Sequence, residues 1–235
     1  MDKSYSLGFW IIILSVLILA GCFNDFSFNL LPKIPLNNCT TSCFIFQGKV
    51  FDPNNSEFLS AKIDLVYYGD GYISFPVELG QVESNSSGFY AVNFNATDYK
   101  DGSGSFVLTA TRAGYLTNEY DGRVVIGDID STNFGMPILA NILLRPKATL
   151  QFKFGISKPT QLQSLSYAYQ YAEKKYQHQI YSEKWAVDTL YTQPVAGDQF
   201  VYTWVNYKAN NQSYTIQDSI YLKKGETKLV ETMIN

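Results

Sequence analysis

From Phe44 onward, apolar and polar positions alternate with a period of two, in short runs broken by Gly, Asn, Asp, Ser and Pro. That period sends successive side chains to opposite faces of an extended backbone, so each run predicts a strand with one face in a core. FIFQGKVFD, residues 44–52, is the first such run, and DPNNSE, with Asp52-Pro53 and Asn54-Asn55, supplies the turn after it. AKIDLVYY, residues 61–68, sets Ala61, Ile63, Leu65 and Tyr67 on one face against Lys62 and Asp64 on the other. SNSSGFYAVNF predicts a turn closing at Gly88 and then a strand, and YKDGSGSF predicts a further turn. In FVLTATRAGY, Phe106, Leu108 and Ala110 oppose Val107, Thr109 and Thr111, and ILANILLRP runs until Pro146 stops it.

A fresh pattern starts after Pro146. LQFKFGI puts Leu150, Phe152, Phe154 and Ile156 on one face, with Gln151 and Lys153 opposite. LSYAYQY puts Leu165, Tyr167, Tyr169 and Tyr171 on one face. QFVYTWVNY, SYTIQDSIYL and TKLVETMI complete a set of about six strands in this half. Short strands at this spacing, abundant Tyr and Phe, frequent Gly and no long run of helix formers predict an all-β chain of two consecutive β-sandwiches. The expected boundary lies near Arg145 to Lys147. Residues 43–146 then form the first sandwich, and 147–235 a second, immunoglobulin-like or similar one.

Within the first half, Gly48-Lys49-Val50-Phe51-Asp52, Leu59-Ser60-Ala61-Lys62-Ile63, Ser84 to Phe89 and Ala113-Gly114-Tyr115 follow one another in order. Together they resemble the carboxypeptidase regulatory-like domain, a transthyretin-like β-sandwich, over about 100 of the 235 residues. The family order is G-x-V-x-D, an A-x-V-x-L strand, a T-D-x-x-G-x-F turn and a closing A-x-G-Y. Gly88 and Gly114 stand where tight turns favour positive φ, and Phe89 and Tyr115 are expected to re-enter the core just after them. PVELGQVE reads as an insertion relative to that pattern. Domains of this kind are usually non-catalytic appendages, so the resemblance implies a fold more than an activity.

The N-terminus follows other rules. The apolar run from Leu7 to Ala20 is shorter than the roughly 20 residues a helix needs to cross a bilayer core. Lys3 and the α-amino group precede it, and the small pair Ala20-Gly21 closes it, which is the layout of a secretory signal. Cys22 follows at once. Leu19-Ala20-Gly21-Cys22 resembles the lipobox of bacterial lipoproteins, whose cysteine sulfur receives a diacylglyceryl group before the peptidase cuts ahead of it. The resemblance implies a signal peptide over residues 1–21, a lipid anchor at Cys22, and the bilayer as first partner. The expected location is the cell envelope, lipid-anchored at the outer membrane of a Gram-negative bacterium. Residues 22–42, with Pro32, Pro35 and several Asn, predict a tether.

Charge narrows the partners. A net charge of −3, with basic doublets only at Lys174-Lys175 and Lys223-Lys224, argues against a nucleic-acid binder. An envelope protein or a glycan remains. Cys39 and Cys43 form the segment CTTSC, for which a disulfide, free thiols and a metal site are the alternatives. An oxidising compartment favours the disulfide, which would stabilise the fold by about 2 kcal/mol in the chain-entropy model.

Catalytic chemistry finds little support in the residues. His178 lies in YQHQIY, flanked by glutamines, and Gly102-Ser103-Gly104 lacks the spacing of a nucleophile elbow. Asp128-Ile129-Asp130 could open a calcium loop, but Asn133 stands where such a loop needs Gly, and a plain polar turn is the better reading. No phosphate-binding or dinucleotide fingerprint occurs in the sequence, so no cofactor is expected. Tyr167, Tyr169 and Tyr171 are the candidate ligand contacts: one strand face carries all three, as a core stripe or as a platform for sugar rings. Their neighbours Ser166, Ala168 and Gln170 are small or polar, so burying the tyrosines removes more apolar area from water, and an inward stripe is expected. Phe200, Tyr202 and Trp204 form a similar series.

Overall fold

The computed structural model describes residues 36–37, 39–69, 76–95, 104–118, 121–127, 129–157, 161–180 and 189–234. The expected signal peptide, Cys22, the start of the expected tether, Gly102, Ser103 and Asp128 lie outside the described residues. Within them the chain is all β. In the first half the strands are β1 (Cys43–Phe51), β2 (Lys62–Tyr68), β3 (Pro76–Glu83), β4 (Phe89–Asn95), β5 (Ser105–Thr111), β6 (Arg123–Gly127), β7 (Pro137–Leu139) and β8 (Ile142–Leu143). The second half holds β9 (Lys147–Ile156), β10 (Leu162–Tyr171), β11 (Lys174–Ile180), β12 (Leu190–Ala196), β13 (Gln199–Ala209), β14 (Gln212–Leu222) and β15 (Thr227–Ile234).

Two sheets enclose the first core. In one, β1 pairs antiparallel with β4 and parallel with β7 and β8; the other runs β3-β2-β5-β6 and is antiparallel throughout. Alternate residues of β1, Phe44, Phe46 and Val50, meet Ile63 and Leu65 of β2 and Phe106, Leu108 and Ala110 of β5, all buried. Phe44, Phe46, Phe94 and Phe106 pack as a ring cluster with centroids 5.3–5.9 Å apart, in the tilted and edge-on arrangements aromatic quadrupoles favour.

Three local readings change. PVELGQVE is not an insertion looped out of the sheet but the edge strand β3, whose alternation is broken by a bulge beside Gly80. A bulge shifts the period by one residue and so hides the strand from a period-two reading. Phe89 does not enter the core: it is 42% exposed, and the next residue, Tyr90, is buried and donates its hydroxyl to the Ala140 carbonyl. Tyr115 is buried, and Gly88 and Gly114 adopt φ of +72° and +79°. The chain also joins the sandwich before residue 43. Leu36 packs on the first core, and Asn37 exchanges hydrogen bonds with the Asn93 backbone.

The second core lies between the antiparallel sheet β11-β10-β13-β14 and the sheet β12-β9-β15, in which β15 runs parallel to β9. Leu150, Phe152, Phe154 and Ile156 of β9 fill it from one side. The two sandwiches are joined by more than the backbone at Pro146. Leu116 of the first half belongs to the second core, Lys147 N–H donates to Gly114 O (2.9 Å), and Gly197 N–H donates to Pro146 O (2.7 Å).

Candidate functional site

Strand β10 directs Tyr167, Tyr169 and Tyr171 into the second core, where each is at most 4% exposed. Tyr167 packs against Phe152 at 4.5 Å between centroids, and Tyr169 stacks on Tyr176 at 5.0 Å. These three tyrosines therefore offer no surface to a sugar. The candidate ligand-contact role drawn from their spacing is corrected, because the small residues between them cannot fill the space between the sheets. Their hydroxyls are used internally. Tyr167 accepts from Gln193 Nε2 (2.8 Å), and Tyr171 accepts from Asn118 Nδ2 (3.0 Å) and donates to Asp121 Oδ2 (3.3 Å). Asp121, fully buried, pairs with Arg145. The stripe thus ends in an ion pair at the junction of the sandwiches. Burial pushes the Tyr169 hydroxyl up to about 12 and raises Tyr167 and Tyr171 as well, so all three are neutral at physiological pH.

The exposed aromatic face is the other one. On β13 the inward residues are Val201, Thr203 and Val205, all buried, and the outward ones are Phe200, Tyr202 and Trp204. Directly opposite on β14, Tyr221 pairs with Phe200, Ser219 with Tyr202 and Gln217 with Trp204. On the other flank Gln170 and Ala168 of β10 lie opposite Tyr202 and Trp204, with Lys175 and Gln177 of β11 beyond them. Phe200, Tyr202 and Tyr221 are 55%, 46% and 49% exposed. Successive outward residues on β13 stand about 6.8 Å apart, so the rings form a ridge along the strand. Tyr202 and Trp204 make its floor, with centroids 6.4 Å apart and planes inclined by 34°. Phe200 and Tyr221 meet edge to face at 5.3 Å and make a corner at one end.

Trp204 has room because its neighbour is small. Ala168 points to the same face yet is only 1% exposed, flanked by Trp204 and Gln177. The Lys175 ammonium reaches over the Trp204 ring, 4.3 Å from its centroid. By strand parity the remaining outward residues of the sheet are Ser164, Ser166, Gln179, Asn206, Lys208, Ser213 and Thr215. Lys175 and Lys208 are therefore the charged residues of this face, and its four strands place no Asp or Glu on it. Asp218 of β14 pairs with Thr203 on the inner side.

Other chemistry-bearing groups serve the fold. The Cys39 and Cys43 sulfurs are bonded to each other at the entry to β1. His178 stacks on Tyr167 at 4.9 Å, and its burial lowers its pKa, which keeps the imidazole neutral. Asp130 caps the 3-10 turn Ser131–Asn133, accepting from Thr132 N (2.8 Å) and Thr132 Oγ1 (2.6 Å), and these bonds hold its carboxyl low. Asp52 stands in the sequence as a turn and motif residue, with no sign of its burial. Burial raises its pKa against the opposing Asn54 N–H bond, with Asp198 and Glu57 adding to the rise, but its Oδ1 is spent on closing the turn to Asn54 (2.9 Å). Among the described residues no three His, Cys, Asp or Glu side chains converge to hold a metal ion.

No family model matches the chain, and no curated protein matches it. Among solved structures, it is similar to the Bacillus anthracis TIE protein at 8% identity and a TM-score of 0.33, over 82% of this chain and 34% of that one. The shaft pilin SpaA of Lactobacillus rhamnosus GG aligns at 8% identity and a TM-score of 0.29, over 83% of this chain and 98% of the pilin. A streptococcal ancillary pilin aligns at 10% identity and a TM-score of 0.32, over 84% of this chain and 64% of that one. The chain spans about a third of the Bacillus protein's length. Superpositions this loose transfer no binding or assembly property.

Proposed function

We propose that this chain is a non-catalytic, lipid-anchored envelope protein whose two β-sandwiches act as an interaction or structural module, with the outer face of the β11-β10-β13-β14 sheet as its contact surface. The observation that carries the reading is that face: Phe200 and Tyr202 of β13 and Tyr221 of β14 are about half exposed side by side, and the four strands place no Asp or Glu on it. Large apolar rings are left in water on a folded surface mainly where something covers them. The anchor rests on the Leu19-Ala20-Gly21-Cys22 segment. Acylation at Cys22 with two or more chains gives stable membrane attachment. The first sandwich is assigned to the carboxypeptidase regulatory-like group on the ordered motifs, supported by the positive φ of Gly88 and Gly114 and the buried Tyr115.

Labelling with a lipid precursor, followed by membrane fractionation of the wild type and Cys22→Ser, tests the anchor. The wild type is expected labelled and membrane-bound, starting at Cys22; an unlabelled, full-length membrane protein overturns it. A photocrosslinker placed at Tyr202 in intact cells tests the contact surface, with exposed Leu139 of β7 as control. A second reading, a glycan-binding accessory protein, gains from the exposed ridge.

A further inference from the structure

We infer that the outer face of the second sandwich binds an extended acidic polysaccharide, of the uronate class, lying along β13. The inference rests on that face being the contact surface and adds the chemistry of what it contacts.

The first argument is shape. The exposed rings form a narrow ridge along β13, widened only at one end by Tyr221 of β14. Together Phe200, Tyr202, Trp204 and Tyr221 expose on the order of 300–400 Å² of aromatic surface, against the ~800 Å² per partner of a standard protein interface. A second copy of this chain or a folded protein would be under-supported on so narrow a strip. A linear polymer whose rings recur along one axis matches it, each sugar offering an apolar face to stack on.

The second argument is what borders the rings. Gln170 and Ser219 flank Tyr202, and Gln217 flanks Trp204. Amide and hydroxyl side chains both donate and accept, as the hydroxyls of a sugar require. Buried under an apolar partner, the same groups would be left without hydrogen bonds, at a cost of kilocalories.

The third argument is charge. The chain is net negative, yet this face carries Lys175 and Lys208 with no carboxylate among its outward residues. Lys175 stands at the ridge itself, over Trp204. A polymer with carboxylates on its sugar rings meets a cation and no repulsion there. Two cations are few for a nucleic acid, whose affinity comes mainly from many phosphate contacts.

The test is affinity electrophoresis of the detergent-solubilised full chain in gels containing polygalacturonate, alginate or hyaluronate. Fully methyl-esterified polygalacturonate and oligo(dT) serve as comparators. At least one acidic polymer should retard the wild type, esterification should weaken retardation about fivefold or more, and added salt should weaken it further. Trp204→Ala should reduce affinity about tenfold, and Lys175→Glu should reduce it more than Lys175→Gln. Should Trp204→Ala unfold, Tyr202→Ala, at an exposed position, replaces it. The inference is overturned if none of the three acidic polymers retards the protein, if the esterified form does so equally, if oligo(dT) binds as tightly, or if the Trp204 and Lys175 variants behave as wild type. Crosslinking from position 202 separates the two levels. Crosslinks to protein without polymer retardation remove the polysaccharide and leave the contact surface; no crosslinks remove the contact surface.

Discussion

Adjacent strands β10 and β13 carry the same aromatic spacing and use it in opposite directions. On β10 the rings of Tyr167, Tyr169 and Tyr171 point inward and Ser166, Ala168 and Gln170 point out; on β13 Val201, Thr203 and Val205 point inward and Phe200, Tyr202 and Trp204 point out. The register shows why. Across the shared ladder Tyr167 lies opposite Val205 and Tyr169 opposite Thr203 on the core side, while Ala168 lies opposite Trp204 on the outer side. Large meets small on both faces, which fills the space between the sheets without overpacking. Aromatic alternation therefore predicts a strand, but its direction depends on the neighbour, and a single strand read alone does not contain that information.

The largest test attacks the polar end of the buried stripe. Asp121→Ala leaves Arg145 without its buried partner and Tyr171 without its carboxylate acceptor, with only the Tyr176 hydroxyl, 3.0 Å away, to turn to. Removing one member of such a pair costs about 3–5 kcal/mol, measured as a lower urea midpoint at unchanged slope. Tyr171→Phe removes one hydroxyl and should cost about 1–2 kcal/mol. If Asp121→Ala is neutral, the ion pair contributes nothing to joining the sandwiches.

Next in size is the middle of the stripe. Tyr169 is buried against Phe152 and Tyr176, so Tyr169→Ala should cost about 3 kcal/mol or more, as aromatic deletions in cores do. Denaturant unfolding reads it. An intact midpoint combined with lost ligand retention would reverse the assignment of faces.

Alkali should weaken the buried stripe. The folded Tyr169 hydroxyl is raised to about 12 from an unfolded value near 10, with burial as the main cause. Between those values the unfolded chain has lost the proton and the folded one keeps it, so stability is full below about pH 10 and falls as pH rises toward 12. Tyr169→Phe should make that fall shallower, the buried Tyr167 and Tyr171 hydroxyls, also raised, carrying the rest. Unfolding free energy followed against pH reads the difference, and an unchanged slope in Tyr169→Phe would mean that this hydroxyl is not held protonated by the core.

Much of the fold was legible in the residues, and the losses share a cause. β1, β2 and β9 alternate because one face is dry and the other wetter, and β10 alternates in residue size although its outward Ser166 and Ala168 are covered as well. β3, β6, β11 and β12 were not read as strands, and all four are sheet edges. Edges carry the residues that mask a strand: the Gly80 bulge in β3, the lysines and glutamines of β11, and Pro194 in β12, which a central strand would reject. Of the site, the Phe200–Trp204 series was visible as a pattern but not as a surface, because Ala168 and Gln217 become its neighbours only through pairing. Asp121 and Arg145, far apart in composition-based logic, meet only where the two halves join. Cys22 lies outside the described residues.

The smallest expected effect closes the comparison. Tyr202 is chemically the same residue as Tyr169 and stands on the next strand, but its ring is 46% exposed and lies on the wet side. Its packing partner is Trp204, two residues along the same face at 6.4 Å, and a surface pair of that kind contributes only about a few tenths of a kilocalorie. Tyr202→Ala should therefore change unfolding free energy by no more than about 0.5 kcal/mol, the usual range for surface substitutions. The unchanged fold is what makes the variant informative, since any loss of retention then belongs to the surface. A loss near that of Tyr169→Ala would mean that the outer ridge is itself structural, and the distinction between the two faces would fail.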